Sequence, residues 1–362
     1  MNRPGVLGFQ IEKRNKAGLV GQLLSILIAL FGAFLVTAVL IRIAGADIGE
    51  AASALFQGSF GSKRGFLDTL VKSAPLILTG LSATIAFKAY IWNIGIEGQL
   101  LAGAMAAYLG YTLFNWIPAF PFILIVIAFG FLGGALWGLI PGVLRNTFNV
   151  DIIISTVMSN YIAAYLLSFM LSGAGPWREP GSYYQQSSKL PEAFWYPNII
   201  SETRLHIGFL IGILATIWIY ILIRRTPLGY EIRALGSNPV ASRFKGTNIP
   251  KLILAVMIIS GGLAGLTGTG ELFGVQHRLR LNISPGYGFT GMLVAMLANL
   301  NPILVLPVAL FFGALNQGAT QMQIVTQVPT ALANAIQAIV LLFLLSAQVL
   351  ARYRIRRISD VN

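Results

Sequence analysis

The sequence predicts an all-α integral membrane protein of about ten transmembrane helices, some broken or re-entrant, with N- and C-termini cytoplasmic. Three observations carry this. Of 362 residues, 56% are hydrophobic and only 10% charged, with a mean hydropathy of +0.75. About ten apolar runs approach the ~20 residues a helix needs to cross a hydrocarbon core roughly 30 Å thick. The net charge of +13 gathers at the ends of those runs, so topology explains it and no nucleic acid partner is expected.

Residues 1–20 read as a basic cytoplasmic tail, 21–351 as the transmembrane domain, and 352–362 as a second basic cytoplasmic tail. Gln22 to Ile41 form the first span behind Arg3, Lys13, Arg14 and Lys16, and the lack of a small-residue cleavage site predicts a retained helix. Residues 44–66 are too short of apolar length to cross and are expected as an outer surface helix or a re-entrant piece. Further spans are expected at about 68–88, 97–114, 120–143, 150–170, 206–223, 252–273, 287–300, 303–317 and 329–350. The one at 120–143 carries Gly130, Gly133, Gly134, Ala135 and Gly138. Small residues let backbones approach closely, which predicts a central helix.

Residues 173–205 form the longest polar loop and fall outside. Their Trp177, Tyr183, Tyr184, Trp195 and Tyr196 suit an interfacial belt or contacts to an external partner. Residues 225–251 fall inside, and about twice as many Lys and Arg stand at the inner ends as at the outer ends. His277, Arg278 and Arg280 are exceptions on the outer side.

Polar residues interrupt the apolar pattern twice in similar fashion. LSATIAFKAYIWNIGIEGQLLAGA and GFTGMLVAMLANLNPILVLPVALFFGAL both run apolar helix, Asn break, then Gly/Ala-rich helix, with Asn93 aligned to Asn301. Repeats with broken helices border the substrate path in many transporters, although the same sequences also make plain inter-helix turns. The candidates for a solute path are Asn93, Glu97, Gln99, Asn160, Asn299 and Asn301. A polar group at membrane depth costs several kcal/mol unless satisfied, so each faces a cavity or, as the bland alternative, caps a helix or bonds to a neighbour. Glu97 in particular suits a half-helix N-terminus. Amides of this kind could bind the hydroxyls of a sugar or nucleoside, with nearby aromatics stacking on a base.

No enzyme constellation emerges: no H-E-x-x-H, Gly-x-Ser-x-Gly or phosphate-binding Gly-rich loop occurs. With no cysteine and two separated histidines, His206 and His277, neither a disulfide framework nor a metal site is expected. A chain that moved solute with ATP would need the ATPase from another polypeptide. The segment Thr226 to Lys251 fits such a contact, since it concentrates Arg233, Arg243, Lys245 and Lys251 between two apolar runs. Thr226-Pro227 starts a short helix over Tyr230 to Leu235 that Gly236 is expected to end. Ser237, Asn238 and Pro239 then cap a second, Val240 to Lys245, which ends at Gly246.

EIRALGSNPVASRFKGTNIPKLILAVMIISGGLAGLTG resembles the cytoplasmic coupling loop of ABC-importer permeases of the branched-chain amino acid, ribose and nucleoside group. Arg233, Ala234, Gly236, Asn238, Pro239, Ala241, Gly246, Ser260, Gly261, Ala264 and Gly265 fit that pattern. Asn93-Ile94-Gly95-Ile96-Glu97-Gly98-Gln99 and DIIISTVMSNYIA are similar to two further motifs, most like those of nucleoside-type permeases. The resemblance covers roughly residues 65–345. Asp151 stands where that subgroup commonly has Glu, Ser159 where an apolar residue is usual, and Phe244-Lys245-Gly246-Thr247 is more basic and polar than its counterpart.

The resemblance implies a non-enzymatic permease subunit in a bacterial plasma (inner) membrane, with no cofactor of its own and ATP and Mg on the partner ATPase. Glu231, Arg233, Ala234, Gly236, Asn238, Pro239, Ala241 and Gly246 would make the ATPase contact. The partners it implies are ABC ATPase subunits, an extracytoplasmic solute-binding protein and a second permease subunit, in a heterodimer or alternatively a homodimer. The competing reading is a single-chain secondary transporter driven by an ion gradient.

Overall fold

The computed structural model describes residues 9–13 and 19–357. Two compact units result, one from the chain up to Gly61 together with the chain from Leu315 onward, the other from Ser62–Ala314.

In the first unit, α1 (Leu19–Ile43) and α2 (Ile48–Phe60) meet at a bend of 116°. Gly45 takes φ +84° there, and the Asp47 side chain caps α2 by accepting the Glu50 N–H at 2.9 Å. These helices pack on α13 (Thr330–Arg352) and the end of α12 (Pro302–Thr326) through Ala33, Ile41, Ala54, Met322, Ile336 and Val340. β1 (Phe9–Lys13) pairs antiparallel with β2 (Tyr353–Arg357), from Phe9 opposite Arg357 to Lys13 opposite Tyr353. The helical fold expected from the sequence holds, with this one small ribbon added to it. Phe-Gln-Ile-Glu-Lys and Tyr-Arg-Ile-Arg-Arg alternate in the period of two that suits a strand.

The second unit is helical: α3 (Lys63–Lys88), α4 (Ile96–Phe114), α5 (Ala119–Phe148), α6 (Ile152–Leu171), α7 (Gly208–Arg225), α8 (Pro227–Ser237), α9 (Pro239–Phe244), α10 (Ile249–Gly270) and α11 (Tyr287–Leu297), then the start of α12. A π-helical turn, Glu271–Gln276, prolongs α10.

Of the helices of crossing length α3 is the most buried, with 89% of its apolar stretch covered against 28% of that of α5, while α5, as its small-residue stripe suggested, packs extensively on both α4 and α10. Glycine brings two neighbours close: a Cβ on Gly133 would run into Ala102 and Ala106 of α4. Gly130, Gly134 and Gly138, four apart, turn one face to α10, where Gly134 lies against the Gly261 carbonyl and Gly138 against that of Met257. The opposite face carries Leu132, Leu136 and Ile140, all exposed.

Among the described residues, six helices are long and apolar enough to cross a membrane, or seven counting the bent α1–α2 pair as one span, rather than the expected ten. The expected helices are present, but some are too short or too polar to cross alone. The span expected at 287–300 is the clearest case, since the 11 residues of α11 rise only about 16 Å in a core of roughly 30 Å.

Candidate functional site

Three helix-to-helix joints in the second unit are built the same way. After α3, the Tyr90 and Ile91 N–H groups donate back to the Phe87 and Ala86 carbonyls, both at 3.0 Å, with Tyr90 left-handed at φ 60°. That is a Schellman stop. Asn93 restarts the chain as an Asx turn, its Oδ1 accepting the Gly95 N–H at 3.0 Å. After α11, the Asn299 and Leu300 N–H groups donate to Met296 and Ala295 at 3.0 and 2.9 Å, with φ 50° and 55°. Asn301 Oδ1 then accepts the Ile303 N–H at 3.2 Å. Between α5 and α6, Asn149 is left-handed at φ 53° and Asp151 Oδ1 accepts the Ile153 N–H at 2.8 Å. The aligned Asn93 and Asn301 thus hold equivalent positions in equivalent joints.

The α3–α4 joint holds a dense polar network. Asn93 and Gln99, both wholly buried, exchange amide hydrogen bonds at 3.0 and 3.1 Å. Asn93 Nδ2 also donates to Ser260 Oγ at 2.9 Å, and Ser260 Oγ donates to the Ser82 carbonyl at 2.9 Å, tying α3, α4 and α10 together. From α6, Asn160 Oδ1 accepts the Gly98 N–H at 2.7 Å and its Nδ2 donates to the Ile94 carbonyl at 2.9 Å. Thr156 Oγ1 accepts the Ile94 N–H at 3.3 Å. A Cβ on Gly98 would lie 2.8 Å from Asn160 Cα, so the glycine is what lets α6 come this near. Glu97 Oε2 accepts the Gly288 N–H at 2.7 Å, placing its carboxylate at the N-terminus of α11.

Of the six path candidates, the structure gathers Asn93, Gln99, Asn160 and Glu97 around this joint, while Asn299 and Asn301 stand in the α11–α12 joint. The two joints meet through a residue that sequence reasoning passed over. Lys88, the last residue of α3, donates from Nζ to the Leu300 carbonyl at 3.1 Å. Ser82, Thr156 and Ser260 were also missed as network members, because a hydroxyl in a helix usually bonds its own backbone.

On the segment 226–251, Thr226 Oγ1 accepts the Gly229 N–H at 3.1 Å, Asn238 Oδ1 the Ala241 N–H at 3.0 Å and Asn248 Oδ1 the Lys251 N–H at 3.2 Å. Gly246 leaves α9 at φ +88°. Gly236 does not end α8, which continues to Ser237. Its role is clearance: a Cβ there would strike the Lys88 carbonyl. Ile232 and Leu235 are buried, and Glu231, Arg233, Ala234 and Gly236 are half-buried with them. Asn238, Pro239, Ala241 and Gly246 are exposed. So are two apolar residues of α9 absent from the expected contact set, Val240 at 64% and Phe244 at 89%. Lys245 Nζ donates to the Tyr230 hydroxyl at 2.6 Å, bracing α9 against α8.

The loop 173–205 packs over the segment that follows α10. Leu190 and Tyr196 N–H groups donate to the His277 and Phe273 carbonyls at 2.8 and 2.9 Å. Trp195 stacks on His277 with centroids 3.7 Å apart, and Arg278 pairs with Glu179 at 3.4 Å, which gives that cation a partner. Burial pushes the His277 imidazole below its usual range and the Tyr196 phenol above its own. Trp177 meets Tyr108, whereas Tyr183 and Tyr184 remain exposed. Among the described residues no group of three or more His, Asp or Glu could hold a metal ion.

Long helices with exposed apolar faces, joined by breaks whose polar groups are satisfied inside the protein, define a multi-pass membrane protein. The chain belongs to the family described as branched-chain amino acid transport system / permease component, which it matches over residues 65–345. It is similar to the guanosine ABC transporter permease protein NupP of Bacillus subtilis, with 32% identity over 91% of this chain and 94% of that one. The nucleoside ABC transporter permease protein NupB of Lactococcus lactis shares 34% identity over 74% and 76%. The glucose ABC transporter permease protein TsgB13 of Haloferax volcanii shares 31% over 84% and 82%.

Proposed function

We propose that this chain is the membrane-spanning permease subunit of an ABC importer for a nucleoside or a related sugar-containing solute, in a bacterial inner membrane. A separate ATPase drives it through α8 and α9. The observation that carries the coupling is the α9 surface: Val240 and Phe244, four residues apart on one helical face, project from a capped knob whose other side is buried. Exposed apolar side chains on a polar, basic segment suit a cleft in a soluble partner. Two of the three relatives above are named for nucleosides or guanosine and the third for glucose, which supports a sugar-containing solute. A second permease subunit, in a heterodimer, and an extracytoplasmic binding protein complete the assembly.

The test is reconstitution of the complete transporter in liposomes with radiolabelled guanosine outside. Uptake should require ATP and survive collapse of ion gradients; uptake on a gradient alone would establish secondary transport instead. Gly236→Leu should insert normally and abolish uptake, because the side chain pushes α8 off the Lys88 carbonyl. Phe244→Asp should weaken ATPase retention by roughly thirtyfold, the equivalent of about 2 kcal/mol for a buried apolar anchor. Full transport by either variant would refute the coupling role of this segment.

A further inference from the structure

We propose that Lys88 is a positioning residue that ties the coupling helix α8 to the joint between α11 and α12, so that displacement of α8 is carried into the second broken helix. The inference rests on the coupling role proposed above for α8 and α9.

Lys88 is touched at both of its polar ends. Its backbone carbonyl is the surface on which Gly236 rests, close enough that any side chain at 236 would collide with it, and a Cβ there would also lie 3.0 Å from the Lys88 carbonyl carbon. Contact between backbones leaves no flexible side chain to absorb a displacement. The ammonium meanwhile reaches the Leu300 carbonyl at 3.1 Å, a charge-assisted hydrogen bond across 212 positions of sequence. Leu300 stands outside both helices, in left-handed backbone at φ 55°. A carbonyl in such a break needs a donor from within the protein. Arg224 at the end of α7 and Arg233 on α8 are charged neighbours of the ammonium, and both repel it.

The alternative is that Lys88 merely satisfies a stray carbonyl. Motion separates the two: a strut keeps its ends at fixed separation, and a local satisfier does not. Because the chain has no cysteine, it can be labelled with nitroxide pairs on its own and then reconstituted with its unlabelled partner subunits. Ser237→Cys with Ile303→Cys spans α8 and the start of α12, and Ser237→Cys with Tyr183→Cys references α8 to the outer loop. The nucleotide states compared are nucleotide-free and ATP–Mg trapped with vanadate.

In the parent chain the 237–183 distance should shift on trapping while the 237–303 distance stays constant. With Lys88→Met, which keeps the aliphatic stem and removes the donor, the 237–303 distribution should broaden without nucleotide and shift on trapping. Lys88→Arg, which restores a donor, should return it to the parent width. An unchanged 237–303 distribution in K88M overturns the proposal, as does a parent 237–303 distance that shifts on trapping. A 237–183 distance indifferent to nucleotide in the parent chain would instead overturn the coupling reading itself, and with it any relay through Lys88.

Discussion

His206 is 3% exposed, and its two ring nitrogens differ in their surroundings: Nδ1 accepts the Gly208 N–H at 3.0 Å, while Nε2 has no partner among the described residues. Accepting at Nδ1 leaves the single proton of the neutral ring on Nε2, inside packing so close that a Cβ on Gly208 or Gly274 would lie 2.5 Å from the ring. Burial, with repulsion from His277 as the smaller cause, pushes its pKa from 6.5 down to about 4. Above pH 6.5 the folded and unfolded chains are both neutral here, and the residue adds no pH dependence. Between 6.5 and about 4 the unfolded chain takes up a proton that the folded chain refuses, so stability falls as the pH falls. At 1.36 kcal/mol per pKa unit the loss reaches about 3 kcal/mol by pH 4. We expect the thermal midpoint of the purified protein to drop over this window and the drop to shrink in His206→Asn, whose amide can still accept the Gly208 N–H as an Asx turn. Equal slopes in parent and variant would locate the acid sensitivity elsewhere.

At the scale of elements, the packing of α5 on α10 turns on glycine rather than on apolar area. Gly134 faces the Gly261 carbonyl, and Gly265 faces that of Gly130, so the two backbones touch without intervening side chains. Gly134→Ala adds one methyl where no space exists and should force the helices apart. Over-packing of this kind costs about 1–3 kcal/mol, readable as a lower unfolding midpoint in detergent, whereas Gly270→Ala, with nothing within 4 Å of the added carbon, should cost far less. Equal midpoints for the two variants would show that the contact is not tight.

Helices such as α4, α6 and α10 were readable because long apolar runs end at capping or breaking residues, and the Asn93–Asn301 echo was readable because both joints use the same stop and restart. What escaped was whatever depends on distant partners. Gly236 looks like a helix stop in sequence, and only the carbonyl of Lys88, far back in the chain, makes it a spacer. Nor does the 120–143 stripe say which of its glycines meet α10 and which meets α4. Likewise, Val240 and Phe244 look like ordinary apolar residues until the burial of Ile232 and Leu235 shows which side of the knob faces out.

For the whole molecule, the distribution of elements constrains how the chain threads the bilayer. The pairing of β1 with β2 sets residues 9–13 beside residues 353–357, so both lie on one side and the number of crossings between them is even. The six helices of crossing length satisfy this, and two of them, α10 and α12, stand between Phe244 and β2, which sets Phe244 on the same side as the ribbon. Between Tyr183 and Phe244 stands one helix of crossing length, α7, whose 18 residues rise about 27 Å. These two positions must therefore face opposite sides of the membrane. The Lys and Arg residues at 224, 225, 233, 243, 245 and 251 favour the inside for Phe244. With no native cysteine to interfere, single-cysteine variants read this directly with a membrane-impermeant maleimide on intact cells. Tyr183→Cys, 92% exposed, should label from outside. Phe244→Cys and Ile355→Cys should label only after the cells are opened. Labelling of position 244 in intact cells would invert the topology and remove α9 from the reach of any cytoplasmic ATPase, and labelling of position 355 alone would show that an odd number of helices crosses between the two.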